Sequence, residues 1–252
     1  MALFLRPAFF PLPKPVSKSA RMAMKSFSPS ISEKGKLPIL LFDVMDTLVR
    51  DPFYQDVPAF FGMPMKELLE TKHPTAWIEF EKGLINEMEL TKKFFKDGRP
   101  FDLEGLKECM RSGYSYIDGI EALLYKLKQK NYQMHAFTNY PIWYMLIEDK
   151  LKISTYLSWT FCSCKTGKRK PAAEAYLEVL QHLGVEPASC VFIDDRMANV
   201  EAAVNAGMVG LHFKNAASLQ QDLSLLGIET GSSRHDSPRN CNSTSLAEEN
   251  SL

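Results

Sequence analysis

An aspartate at the carboxyl end of an apolar strand can do covalent chemistry, and Asp43 stands there, after the run Leu37 to Phe42. In open parallel α/β sheets ligands bind at the carboxyl ends of the strands. A carboxylate in that place can attack phosphorus, forming an acyl-phosphate that splits one hard step into two easier ones. Three further clusters carry compatible chemistry. Thr138 and Asn139 close the run His135-Ala136-Phe137 with a hydroxyl and an amide. Lys170 ends the stretch Gly167-Lys168-Arg169-Lys170 and precedes Pro171 and a helical pattern that carries Tyr176. Asp194 and Asp195 follow Cys190 to Ile193 and lead into Arg196 and Asn199. Asp43, Asp194 and Asp195 converging at strand ends would repel one another unless a divalent cation sat among them. Mg²⁺ suits such hard oxygen ligands. Thr138 can donate to a phosphate oxygen, and Lys170 supplies a positive charge. Singly, these signals have bland readings as a turn, a helix start and a cap. Together they suit phosphoryl transfer, where catalysis is mostly positioning and charge neutralisation.

The elements that must position these groups follow from the apolar pattern. Strands are expected at Leu37–Phe42, Gln133–Phe137, Trp159–Cys162, Cys190–Ile193 and Val209–Phe213. Helices are expected at Ile120–Leu127, Ile142–Ile147, Ala172–Leu183, Val200–Ala206 and Leu219–Leu226. Repeated strand–helix units predict an α/β fold with a doubly wound parallel sheet covered on both faces. Between the first strand and the rest, residues 52–113 show helical spacing only: Trp77, Phe80, Glu81, Leu84 and Ile85; Leu90, Phe94 and Phe95; Leu103, Leu106 and Met110. That predicts a small all-helical cap over the strand ends, with residues 37–51 and 114–228 as the core domain.

In this order the clusters resemble motifs one to four of the haloacid dehalogenase superfamily, over about Leu37 to Leu226. Phe192-Ile193-Asp194-Asp195-Arg196 is the most specific part. The resemblance implies a Rossmann-like core, an Mg²⁺-dependent phosphatase activity and a small-molecule phosphomonoester substrate. It implies Asp43 as nucleophile and metal ligand, Met45 giving its backbone carbonyl to the metal, and Asp194 and Asp195 binding the metal directly or through water. Thr138, Asn139 and Lys170 would hold phosphate. One position departs from the first motif, Asp-x-Asp-x-Thr: Asp43 and Thr47 match, but Met45 replaces the aspartate that protonates the leaving group, and an acid follows as Asp46. Two roles stand open for Asp46, a substitute general acid/base or a cap of the turn. The superfamily's dehalogenases also lack that acid, so halide release is an alternative, as are sugar or nucleotide phosphates and binding without turnover. With the motif Asp43-Val44-Met45-Asp46-Thr47, a small helical cap and a basic, Ser- and Pro-rich plastid-like leader over residues 1–32, the chain looks like the plant chloroplast flavin mononucleotide (FMN) hydrolases. Phe53, Tyr54, Phe60, Phe61, Trp77, Phe80, Phe94 and Phe95 in the cap could stack on a flavin ring, although most should be cap core.

Composition bounds the rest. The 252 residues hold 30 bases and 30 acids, so net charge implies no nucleic-acid partner. The short basic run 165–170 reads better as the site of Lys170 than as a nucleic-acid patch. Residues 1–32 carry Arg6, Lys14, Lys18, Arg21 and Lys25 without an acid, and Pro7, Pro11, Pro13 and Pro15 break their apolar stretch. This predicts a transit peptide, plastid ahead of mitochondrion. No stretch is apolar for long enough to suggest a membrane partner. Five scattered cysteines predict reduced thiols. The polar residues 229–252 predict a disordered tail. His135 reads as a core or partner-bonded residue, and His73, His182 and His212 as surface or packing residues. Oligomeric state is not legible.

Overall fold

The computed structural model describes residues 36–230, so the expected leader, and the tail beyond Thr230, lie outside the described residues. Every residue of β1 (Ile39–Phe42) is buried, as a strand paired on both sides and covered on both faces must be. A 3-10 turn (Pro52–Tyr54) then opens a helical insert: α1 (Val57–Phe60), α2 (Met65–Thr71), α3 (Ala76–Glu81), α4 (Glu87–Lys93) and α5 (Leu103–Gly113). Strand–helix alternation resumes with α6 (Ile120–Gln129), β2 (Met134–Thr138), α7 (Tyr144–Leu151) and β3 (Ser158–Cys162). It continues through α8 (Ser163–Thr166), α9 (Ala173–Leu183), β4 (Cys190–Asp194), α10 (Met197–Asn205), β5 (Val209–His212) and α11 (Ala216–Leu225).

The five strands are parallel and ordered β3-β2-β1-β4-β5. The chain winds from β1 outward to β3, then crosses back over β1 to β4 and β5. The winding therefore reverses between β1 and β4, and the crevice of a doubly wound sheet opens at that switch. Register does the positioning. Phe42 pairs with Ile193, so the residues that follow, Asp43 and Asp194, leave the sheet side by side.

Period-two alternation sorts the central strand between two cores. Leu40 and Phe42 join a large apolar cluster that also takes in Val57, Leu68, Phe80, Leu90 and Leu106 of the insert. Ile39 and Leu41 face a smaller cluster with Tyr176, Val179 and Ala203 from α9 and α10. The insert thus shares a continuous apolar core with one face of the sheet. Its two ends are drawn together by Arg50, whose guanidinium donates to the Asp56 carboxylate (2.7 Å) and to the Gly113 carbonyl (2.9 Å).

The expected elements are all present, with ends displaced where capping rather than apolar spacing sets the boundary. α11 starts at Ala216 because Asn215 accepts from the Ser218 amide at 2.9 Å. Leu84 and Ile85, read as part of the helix with Trp77 and Phe80, lie beyond its end. α3 stops before Gly83, which takes φ +68° and passes so close to α8 that a Cβ would lie 2.6 Å from the Cys164 carbonyl oxygen. Phe95 likewise falls past α4. Glu229 and Thr230, assigned to the tail, are instead held: Glu229 pairs with Lys130 at 2.6 Å and donates its amide to the Tyr132 hydroxyl, and Thr230 is buried. A polar residue reads as tail by composition but is fixed here by two specific partners.

Gly83→Ala combines a left-handed backbone with a clash against backbone atoms. It is expected to destabilise the protein by about 1–3 kcal/mol, read as a lower urea midpoint at unchanged slope.

Candidate active site

The loop after β1 is a tight structure built on Val44. The Val44 carbonyl accepts from the amides of Leu48 and Val49, each at 2.9 Å, and Val44, Leu48 and Val49 are all fully buried. Asp46 sits at the corner with φ +56°, a left-handed conformation that aspartate tolerates better than most residues. The loop is tied to the one after β4, because the buried Thr47 hydroxyl accepts from the Asp195 amide at 3.1 Å. This explains why a threonine follows the aspartate at that spacing.

Asp43, Asp194 and Lys170 form a buried triangle. The Lys170 ammonium donates to Asp43 Oδ1 (2.8 Å) and to Asp194 Oδ2 (2.6 Å), and Lys170 is only 1 % exposed. Burial pulls the Lys170 pKa down, but the two carboxylates outweigh burial and push it up. Burial pushes Asp43 up, against the pull of Lys170. Asp195 is raised to about 7 by burial first and then by the nearby charges of Asp43 and Asp194. Asn199 closes the set by donating from Nδ2 to both oxygens of Asp194 at 3.0 Å, and the Tyr176 hydroxyl holds the Asn199 carbonyl at 2.8 Å. One ligand oxygen from each of Asp43, Asp194 and Asp195 lies within 4.8 Å of the others. Hard carboxylate oxygens this close, short of compensating cations, fit a divalent metal such as Mg²⁺. The Met45 carbonyl accepts no hydrogen bond from the described residues.

The other expected site residues divide. Thr138 ends β2 buried, and its hydroxyl is the single buried side-chain oxygen or nitrogen among the described residues that lacks a partner. An orphaned buried hydroxyl calls for a ligand or water. Asn139 is engaged with protein: its Oδ1 accepts from the Lys170 amide (2.9 Å) and its Nδ2 donates to the Lys170 carbonyl (2.8 Å). It therefore clamps the backbone that presents Lys170. Asp46 is exposed, and its Oδ1 accepts from the Asp51 amide at 3.1 Å.

A cleft above Asp43 is lined from both the sheet loops and the insert. Asp43, Met45, Asp46, Asn139, Lys170, Asp195 and Asn199 come from the strand-end loops, and Phe53, Tyr54, Lys72, Trp77 and Glu81 from the insert. The aromatic residues divide between core and cleft, with Trp77 packing on Phe80 and Trp143 as well as lining the cleft. Phe61, Phe94, Phe95 and Phe101 pack on one another, and Phe80 packs on Trp143, so these are core. Phe53, Tyr54 and Trp77 reach the cleft, with the Lys72 ammonium 5.3 Å from the Phe53 ring centre.

Several lining residues carried no sequence signal. Arg169 Nε donates to the nearly buried Glu81 carboxylate at 2.6 Å, joining the insert to the Lys170 loop. Every base in 165–170 has an intramolecular partner: Lys165 the Trp159 carbonyl, Lys168 Glu178, Arg169 Glu81, and Lys170 its two aspartates. His135 bonds Gln133 and Thr160 in the sheet. His212, read as surface or packing, instead bonds the Asp195 carbonyl at 2.8 Å and so helps to fix that loop. Asp51 also lines the cleft; burial pushes its carboxyl up to about 6, with Asp46 and Asp43 adding to the rise and Arg196 opposing it.

A buried aspartate beside a lysine and two further carboxylates, at the switch point of a parallel sheet, places the chain among the doubly wound α/β proteins whose strand ends suit a phosphoryl group and a divalent cation. More narrowly, the chain belongs to the haloacid dehalogenase-like hydrolases, whose family pattern matches residues 39–207. It is 69% identical over 215 residues to flavin mononucleotide hydrolase 1, a chloroplast protein of Arabidopsis thaliana, covering 85% of this chain and 88% of that one. It is 28% identical to a sesquiterpene phosphatase of Aspergillus oryzae, over 63% of this chain and 83% of that one. Among solved structures, a predicted haloacid dehalogenase-like hydrolase from Porphyromonas gingivalis superposes with a TM-score of 0.63 at 18% identity, covering 77% of this chain and 100% of the other. A haloacid dehalogenase family enzyme from Bacteroides thetaiotaomicron, solved with magnesium and inorganic phosphate, gives 0.59 at 20% identity, covering 71% and 96%. At these identities the structures establish the fold.

Proposed function

We propose that the protein is an Mg²⁺-dependent phosphatase that hydrolyses FMN to riboflavin and phosphate through an aspartyl-phosphate on Asp43. The observation that carries the chemistry is the buried Asp43–Lys170–Asp194 triangle beside Asp195 at the sheet's switch point. The substrate rests on the 69% identity to the Arabidopsis FMN hydrolase, and it is supported by Phe53, Tyr54 and Trp77 facing the same cleft as Asp43. The plastid reading of the leader is supported by the same relative; the mitochondrion has no such support.

Asp43, Asp194, Asp195 and the free carbonyl of Met45 would hold the cation, with residues 52–113 acting as the cap. When bound, Mg²⁺ neutralises charge on the phosphoryl oxygens. An Asp43 oxygen attacks phosphorus, and the ester oxygen leaves with the bonding pair. Lys170, fixed by Asn139, offers its ammonium to the phosphoryl oxygens, and the unpartnered Thr138 hydroxyl donates to one of them. Water then cleaves the acyl-phosphate, returning Asp43 and releasing phosphate.

Purified protein with Mg²⁺ is expected to release phosphate and riboflavin from FMN, with activity removed by a chelator and restored by Mg²⁺. Turnover of sugar phosphates but not FMN would overturn the substrate. Halide release from 2-haloacids without metal, or FMN binding without phosphate release, would overturn the reaction.

A further inference from the structure

The site described above holds no acid at the position of Met45, yet an alkoxide such as the ribityl oxygen of FMN leaves poorly without a proton. The donor has to come from the cleft wall, and the wall offers few groups. Asp43, Asp194 and Asp195 are committed to Lys170 and to a cation. Glu81 is bound by Arg169. Asp46 points its Oδ1 at a backbone amide and is exposed. Asp51 remains. It lies where the chain turns from the first loop into the insert, and it lines the cleft together with Asp43 and Phe53.

Two hydrogen bonds fix its place. Its Oδ1 accepts from the Phe53 amide at 2.9 Å, capping the 3-10 turn, and its own amide donates to Asp46 Oδ1 at 3.1 Å. Among the described residues no other group donates to its carboxylate and no cation lies within salt-bridge distance of it. A half-buried carboxyl with no ion-pair contact, near the carboxylates of Asp46 and Asp43, keeps its proton more readily than an ordinary aspartate, even with the Arg196 guanidinium opposing. That is the property a general acid needs.

We propose that Asp51 is the general acid/base of this site and that Asp46 is its positioning residue, orienting Asp51 through the backbone. The inference rests on the phosphatase reading above. In the first step the Asp43 oxygen bonds to phosphorus, the phosphorus–ester oxygen bond breaks with its electron pair on oxygen, and that oxygen takes the Asp51 proton, giving the alcohol and an Asp51 carboxylate. In the second, Asp51 takes a proton from water as the water oxygen bonds to phosphorus. The bond to Asp43 breaks, phosphate departs, and both aspartates return to their starting forms.

Leaving-group dependence tests this, because kcat/KM reports the first chemical step. Asp51→Asn keeps an acceptor for the Phe53 amide, so the turn is retained, and Asp46→Asn keeps one for the Asp51 amide. D51N is expected to lose about 10²–10⁴-fold in kcat/KM on FMN. On p-nitrophenyl phosphate, whose phenolate departs unaided, the loss should be less than about tenfold. D46N should show a small loss, similar on both substrates. Equal losses for D51N on both substrates, or a selective loss in D46N alone, would overturn the proposal while leaving the phosphatase reading intact. An inactive wild type would overturn both. Activity on other alkyl phosphates but not on FMN would overturn only the flavin substrate, and the comparison would run on the alkyl ester that is cleaved.

Discussion

Asp43→Asn is expected to remove turnover of FMN, lowering kcat on the order of 10⁴-fold or more, as loss of a nucleophile does when no neighbour can replace it. An amide is a poor nucleophile, and none of the remaining carboxylates has the place of Asp43. Asp194 is wholly buried and held by Asn199, Lys170 and the Arg196 amide. Asp195 stands beyond it in the next loop. The fold should survive. The substituted amide would relieve the repulsion between neighbouring carboxylates while taking away one of the two partners of Lys170, and these effects oppose each other. A stability change within about 2 kcal/mol is therefore expected, small beside the catalytic loss. The measurements are phosphate release at saturating FMN and Mg²⁺, and a urea unfolding curve on the same preparation. The activated aryl ester distinguishes nucleophile from proton donor: D43N should lose activity on it as completely as on FMN, whereas D51N should not. Residual turnover of D43N above about a hundredth of wild type would mean that another group attacks phosphorus.

The sheet and four of its functional clusters are legible in the sequence because both depend on short-range pattern. Leu37–Phe42 and Cys190–Ile193 are unbroken apolar runs that end in aspartate, and such runs make buried strands whose ends face the crevice. Order along the chain then suffices to bring Asp43, Thr138, Lys170 and Asp194 to one edge of the sheet. The Asp43–Asp194 pairing follows from a parallel register that alternating polarity does not specify. What escapes the sequence is everything set by a single long-range bond. Arg169 meets Glu81 across the boundary between sheet and insert, Thr47 meets the Asp195 amide, and Asn139 meets the Lys170 backbone. None of these has a period or a spacing. Asn139 shows what residue type alone leaves out: the resemblance gives it to phosphate, and its side-chain oxygen and nitrogen both bond the Lys170 backbone. Asp46 shows the same for position. It stands beside the missing acid in sequence and lines the cleft, yet at its left-handed corner Oδ1 is taken by the Asp51 amide, and Asp51, which lines the same cleft, lies outside the Asp-x-Asp-x-Thr spacing.

Lys170→Met is expected to separate the two cations of the site. In the protein without metal, the Lys170 ammonium is the one group among the described residues that donates to both Asp43 and Asp194, and it sits about 5 Å over the rings of Phe137 and Phe192. Methionine fits that apolar surrounding but leaves two buried carboxylates facing each other without a counter-charge. Removing one partner of a buried pair costs about 3–5 kcal/mol, so metal-free K170M should unfold at a clearly lower urea concentration. Mg²⁺ should then stabilise K170M more than wild type. A ligand that binds only the folded state stabilises it by RT ln(1 + [L]/Kd), and the variant's carboxylates no longer share their charge with an ammonium. Activity should still fall about 10²–10³-fold, since the metal cannot replace a donor aimed at the phosphoryl oxygens. The combination is diagnostic: a lysine that only fills space would give a stability loss indifferent to Mg²⁺. If the Mg²⁺-induced shift in K170M is no greater than in wild type, Asp43 and Asp194 do not hold the cation together, and the metal site has to be placed elsewhere in the cleft.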